Sequence, residues 1–468
     1  MTADKARVPA LQIISYVMPA VPLAALGLPI VVHLPQFYAS REIGLSLAVT
    51  GLVFSLCRIA DVFVDPTMGY ISDRLSTRWG RRRPMVVAGT PLLLIGIWMV
   101  FVPGGPVGPF YLAFWLFVMY VAWSMVTIPL LSWGAELSPD YHERSRIYGW
   151  NQVAIIVGMV GVLVVPAVLE NLGYPRAMQI LAMAVFAILL LVPSVALCAG
   201  ALPEPEVKLK THAALAPTLK FLLRNRAFRC VIGVDLIAST SAGAIGAMFF
   251  FFARFALGLP EWAGTLLLVY FVSGCIFIPF WIRLSRRIGK HRALMASFAY
   301  TVVVMPLYLL IPPGHFWAAL PVFALSGVNY GAPTFLLRSM MADIADADTA
   351  ENGAERAGLM YSFLSLTDKF GLGWAVGIAF MLLAWLGFDP KTVNPPEAIA
   401  HMRAFYISLP IVFGIANFFI LRAYPLDEER QRALRLEVER RRALHAAGPE
   451  AEAASTIGDV GIAKGTLL

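Results

Sequence analysis

Charge is scarce in this chain: Asp, Glu, Lys and Arg make up 14% of 468 residues against 59% apolar ones, and mean hydropathy reaches +0.72. A soluble globular domain carries about a quarter charged residues, so that class is excluded. Cysteine is sparse as well. The four, at positions 57, 198, 230 and 275, lie in or beside apolar runs, which fits packed, reduced thiols and not a disulfide scaffold. Seven histidines stand apart without metal-ligand spacing. Short alternating segments of the kind that build membrane barrels are also missing.

What fills the chain instead is a series of about twelve apolar runs of roughly 20 residues, each long enough to cross a hydrocarbon core of about 30 Å as a helix. The first continues to about Phe37, too far for a signal peptide, and Pro19, Pro22, Pro29 and Pro35 predict bends in it. The second spans about Leu45 to Ser72, the fourth Phe110 to Leu137, the fifth Ile147 to Leu169, the tenth Phe316 to Met341 and the eleventh Ala357 to Trp385. The net charge of +8 raises the possibility of nucleic acid, but the basic residues collect in alternate loops beside the runs, a pattern that sets membrane topology. No nucleic-acid partner is expected. The loops after runs 2, 4, 6, 8 and 10 hold most of the Lys and Arg, which predicts a multi-pass protein with both termini on the cytoplasmic side.

A polar, Pro-bearing stretch from Pro203 to Arg229 divides the chain. The expected organisation is a six-helix half over 1–202, a cytoplasmic linker over 203–229, a second six-helix half over 230–425 and a cytoplasmic tail over 426–468. The halves echo each other, since G-Y-I-S-D-R-L-S-T-R-W-G-R-R-R-P after run 2 has a counterpart in I-R-L-S-R-R-I-G-K-H-R after run 8. An all-α membrane protein of twelve helices in two pseudo-repeats is the plan of a secondary transporter, for which one chain suffices as a monomer. No nucleophile and base arrangement sits at membrane depth, so an enzyme is not expected.

Run 2 holds the chemistry. Arg58, Asp61 and Asp65 fall within ~60° of one another on a helix, so one face of an otherwise apolar segment is ionic. Two carboxylates one turn apart repel unless a proton or a cation intervenes. The alternative is that they are structural partners of Arg58 and of Lys369 in run 11. Tyr120, Ser124, Thr127 and Leu131 share a face of run 4, either toward a cavity or in helix packing. Asn151, Gln152 and Asn329 are apolar-run amides that bind ligand or join helices.

The spacing R-xx-D-xxx-D-P-xx-G at Arg58 to Gly69, followed by R-W-G-R-R-R-P, resembles the glycoside-pentoside-hexuronide:cation symporters of the major facilitator superfamily. Glu136 after an Ile-Pro step in run 4, E-R before run 5, and D-I-A-D followed by E-R-A-G-xx-Y-S and Lys369 add to the resemblance, which covers about residues 40 to 385. It implies the major facilitator fold and symport of a small solute with sodium or a proton across the inner (plasma) membrane, with no cofactor and no metal beyond such a sodium. It also implies that Asp61, Asp65 and Ser124 bind the cation and that Lys369 lies beside cation and solute. Thr127, Leu131 and Gln152 stand where the family's galactoside carriers hold the sugar with Asp, Trp and Arg, so a different solute, including a lysolipid or other amphiphile, is expected. Arg58, Asp73, Arg74, Arg81 and Glu136 are expected as gate or charge-pair residues.

Overall fold

The computed structural model describes residues 7–38, 43–105, 107–138, 140–204, 224–352, 356–388 and 394–425. Most of the expected linker and the whole expected tail lie outside them. Among the described residues ten helical segments are long and apolar enough to cross a membrane. Two more of comparable length, Leu47–Arg74 and Ala357–Trp385, carry the interior charges.

The first span is broken where prolines remove backbone donors: α1 (Ala10–Val17), α2 (Ala20–Leu28), a π turn at Pro29–His33 and α3 (Leu34–Tyr38). Then follow α4 (Leu47–Arg74), α5 (Arg83–Phe101), α6 (Pro109–Glu136), α7 (Tyr141–Asn171) and α8 (Arg176–Ala201). From residue 224 onward come α9 (Arg226–Phe251), α10 (Ala263–Ile288), α11 (Lys290–Val304), α12 (Phe316–Gly327), α13 (Ala332–Asn352), α14 (Ala357–Trp385) and α15 (Pro396–Arg422). Side-chain caps mark several starts, among them α7, where Asp140 Oδ1 accepts from the N–H groups of His142 and Glu143. The Ser46 hydroxyl accepts from the Val49 N–H at α4, and Asn225 accepts from the Phe228 N–H at α9.

The tenth apolar run, expected as one helix, is two. Between α12 and α13 the chain makes short-range bonds, with the Tyr330 N–H donating to the Gly327 carbonyl. A Cβ on Gly327 would lie 2.1 Å from the Tyr270 carbonyl oxygen, so the break sits where the chain presses directly on α10. The repeat visible in the sequence has a backbone correlate. Gly80 (φ +102°) turns the chain between α4 and α5, and Gly289 (φ +87°) turns it between α10 and α11, both in the left-handed region that favours glycine.

Apolar packing joins the first half to the second at the end that carries the basic loops. There Leu131, Ala135, Tyr148 and Ile156 share one core with Phe335, Met340 and Tyr361. The α4 and α14 backbones touch at this end: a Cβ on Gly69 would lie 2.5 Å from the Gly358 carbonyl oxygen.

Candidate cation and solute site

Helix periodicity puts Asp61 and Asp65 on adjacent turns of α4, facing α6 and α14. Both are sealed, at 1% and 0% exposure. The Lys369 ammonium crosses from α14 to donate to Asp61 Oδ2 at 2.7 Å and to Asp65 Oδ1 at 2.9 Å. Ser124 on α6 donates to Asp65 Oδ1 and lies 3.5 Å from Asp61 Oδ1. Ser365, one turn before Lys369, donates to Asp65 Oδ2 at 2.8 Å. Arg58 stands at the rim, 38% exposed, 4.0 Å from Asp61 and 5.8 Å from the centre of the Tyr120 ring. Two cations and two carboxylates therefore balance, with hydroxyl oxygens completing a set of hard donors suited to an alkali cation or a proton.

The remaining candidates divide. Tyr120 is buried beside Arg58, and the Thr127 hydroxyl on the same face is buried with no hydrogen-bond partner. Leu131 is packed in the core, its carbonyl accepting from the Tyr148 hydroxyl at 2.7 Å. Asn151 and Gln152 are buried on α7, and Gln152 Oε1 has no partner. Asn329 joins helices, donating to the Ser297 carbonyl at 3.0 Å and to Thr301 Oγ1 at 2.8 Å.

At the basic end Arg81 and Arg82 both pair with Glu136, and Arg82 also reaches Asp73 at 2.9 Å and Ser72 at 2.7 Å. Burial alone would favour loss of the Arg82 charge, but Glu136 and Asp73 more than offset it and hold the guanidinium above its ordinary range. Those pairs stay within the first half. Asp73 does not: it accepts the N–H groups of Gly358 at 2.8 Å and Leu359 at 2.9 Å, at the N-terminus of α14, where the helix dipole favours an anion. Arg74 lies over the Tyr70 ring, 4.2 Å from its centre.

Several residues escaped the sequence reading. Arg144 on α7 reaches Asp343 at 3.3 Å and Asp346 at 2.8 Å on α13, Lys290 reaches Asp343 at 2.6 Å, and Arg286 reaches Glu143 at 3.3 Å. These are the E-R and D-I-A-D motifs, noted only as likenesses; their charges were visible but their pairing was not. Ser365 could have been found as the i−4 neighbour of Lys369. Deeper in the second half, Thr367 Oγ1 donates to Asp235 at 2.5 Å and Ser239 to Asp368 at 2.9 Å.

Comparison with known proteins supplies the context. The family described as MFS/sugar transport protein matches residues 15–428. An Escherichia coli (strain K12) glucuronide carrier protein homolog is 25% identical over 421 residues, spanning 86% of this chain and 90% of that one. The isoprimeverose transporter of Lactiplantibacillus pentosus is 24% identical, spanning 84% of each. The Gallus gallus sodium-dependent lysophosphatidylcholine symporter 1 is 22% identical, spanning 86% and 82%. Among solved structures, the E. coli fucose:proton symporter superposes with a TM-score of 0.63 at 14% identity, covering 87% of this chain and 98% of that one. A bacterial homologue of the iron transporter ferroportin, outward-facing, gives 0.63 at 15%, covering 88% and 98%. The fold is thus that of the major facilitator transporters.

Proposed function

Because the chain belongs to the MFS/sugar transport protein family, the glycoside-pentoside-hexuronide:cation symporters, we propose that it couples inward movement of sodium or a proton to uptake of a glycoside or related small organic solute. It is a multi-pass membrane transporter and not an enzyme. The finer reading rests on one observation: Lys369 bridges the sealed Asp61 and Asp65 from the opposite half.

In this reading Asp61, Asp65 and Ser124 bind the cation, with Ser365 as a further oxygen donor. Lys369 holds the place of the cation until one arrives. A cation between the carboxylates frees the ammonium, which at 21% side-chain exposure already borders accessible space, to meet the solute. Cation and solute then raise each other's affinity by the same factor. Tyr120, Thr127, Asn151 and Gln152 line the solute path, and Leu131 supports it from behind. The halves 1–202 and 230–425 rock about this site as one monomer in the inner (plasma) membrane, with the basic end, the 203–229 linker and both termini cytoplasmic. Asp73, Arg144, Glu143 and their partners close that end, so this conformation opens outward. Arg58, Arg74, Arg81 and Glu136 steady the gate within the first half.

A second reading, an amphiphile as the solute, is favoured by the likeness to a lysophosphatidylcholine symporter and by Thr127 and Leu131 in place of a polar sugar grip. Uptake into proteoliposomes, with and without sodium at two pH values, tests the proposal over a panel of glycosides, hexuronates and lysolipids. Ion-dependent uptake by wild type that Asp65→Asn abolishes is the expected result. Unchanged ion dependence in Asp65→Asn would make the α4 carboxylates structural and sink the proposal.

A further inference from the structure

The face that α7 turns to the second half carries Arg144, Ser145 and Tyr148, spaced so that successive turns present a polar group across the seam. Arg144 meets Asp343, the Ser145 hydroxyl lies 3.2 Å from that of Ser339, and Tyr148 meets Tyr361 on α14, hydroxyl to hydroxyl at 2.5 Å. The tyrosine pair is the innermost of the three. Tyr361 follows Leu359, whose N–H is held by Asp73, and precedes by one turn Ser365, which donates to Asp65. It therefore stands between the closed basic end and the buried carboxylates.

Both tyrosines are wholly buried, and each hydroxyl has a second neighbour. Tyr148 donates to the Leu131 carbonyl at 2.7 Å and Tyr361 to the Arg338 carbonyl at 2.7 Å. Two hydroxyl protons thus serve three contacts. If both go to the carbonyls, nothing bridges the phenol oxygens; if one bridges them, a carbonyl loses its hydroxyl. A third phenol stands beside them with its proton unspent. Tyr16 on α1, 0% exposed, meets the Tyr148 ring edge-on with centres 6.5 Å apart, and its hydroxyl has no partner among the described residues. It presses on α6 at Gly134, where a Cβ would lie 2.2 Å from its oxygen, about one turn beyond the Leu131 carbonyl that Tyr148 engages. The hydroxyls of Tyr16 and Tyr148 thus converge on one stretch of α6. A buried hydroxyl left without a bond is unfavourable and calls for an explanation. This one belongs to the first half, so it stays beside Tyr148 whichever way the second half moves.

We propose that Tyr148 is a two-position latch: with the basic end closed it pairs with Tyr361 across the halves, and when α14 withdraws it accepts the Tyr16 hydroxyl instead. In the second arrangement the protons suffice, with Tyr16 donating to Tyr148, Tyr148 to Leu131 and Tyr361 to Arg338. Opening exchanges one buried contact for another and strands no phenol in the bundle. The latch rests on the rocking of the halves proposed above and adds a device that sets the balance between its two end states.

The test places paired spin labels at Arg78 and Arg287, exposed at the basic ends of the two halves, in protein reconstituted into proteoliposomes with and without sodium at two pH values. Tyr361→Phe removes the closed-state contact and should raise the ratio of long to short separations about fivefold, the worth of one hydrogen bond. Tyr16→Phe removes the open-state contact and should lower that ratio by as much, and the double variant should return close to wild type. Both replacements keep the ring and its packing. In a Tyr148→Phe background neither replacement should move the ratio, because the group that both address is gone. A Tyr16 that serves packing alone would leave the ratio unchanged on losing its hydroxyl. That result, a shift in the same direction as Tyr361→Phe, or shifts that persist in the Tyr148→Phe background overturn the latch and leave the rocking of the halves standing. A single separation in wild type under every condition overturns the rocking and the latch with it.

Discussion

Gly69→Ala tests whether direct backbone contact between the halves holds the basic end closed. The new Cβ would lie 2.5 Å from the Gly358 carbonyl oxygen, 2.9 Å from its carbonyl carbon and 3.0 Å from the Ser362 Cβ. Two of the three are backbone atoms of α14, so no side-chain rotation relieves the clash. Because Asp73 holds the Gly358 and Leu359 N–H groups just beyond, relief requires α4 and α14 to part. Overpacking of this kind costs about 1–3 kcal/mol, which converts to roughly a 5- to 150-fold shift against the closed arrangement. Arg78 and Arg287 are exposed at the basic ends of opposite halves, and paired spin labels there report their separation. Gly69→Ala should add or enlarge a longer-distance population, and a matching Gly104→Ala control, where a Cβ meets nothing, should not. A distance distribution identical to wild type, with unchanged thermal stability, would refute the argument that this contact sets the closed state.

Further outcomes follow from the same geometry. Lys369→Met leaves Arg58, at the rim, as the one remaining cation of the set against Asp61 and Asp65, and breaking a buried ion pair costs about 3–5 kcal/mol; the variant should melt lower, with the deficit shrinking on added sodium or at low pH. Ser365→Ala removes one donor to Asp65, worth about 1 kcal/mol, and should raise the half-saturating cation concentration severalfold while leaving expression unchanged. Arg144→Ala removes the 2.8 Å contact with Asp346, and in a double-mutant cycle with Asp346→Ala the loss in melting temperature should be non-additive; additive losses would mean that the pair contributes nothing to closure.

What was legible in the sequence was what a single helix encodes. Asp61 and Asp65 are one turn apart, and so share a face in any packing; prolines in the first span announce its breaks. What crosses between helices was harder. Ser365 reads as an ordinary membrane serine until α14 is placed against α4, 300 positions away in the chain. The acids of D-I-A-D showed their charge but not that Arg144 and Lys290 would meet them. Leu131 shares a face with Thr127, yet it is packed in the core and its carbonyl accepts from the Tyr148 hydroxyl of α7. The π turn at Phe252–Ala256 left no trace, because the run of phenylalanines there has neither proline nor glycine to mark the change in hydrogen bonding.

The bridge between Lys369 and the two carboxylates also bears on how voltage acts. Arg58, Asp61, Asp65 and Lys369 sum to zero before any cation arrives. Moving a charge through the membrane field takes about 2.3 kcal/mol per 100 mV, and a neutral set takes none. In the proposed cycle such a carrier returns empty without electrical work, so membrane potential acts only on the loaded crossing, through the net charge that cation and solute add together.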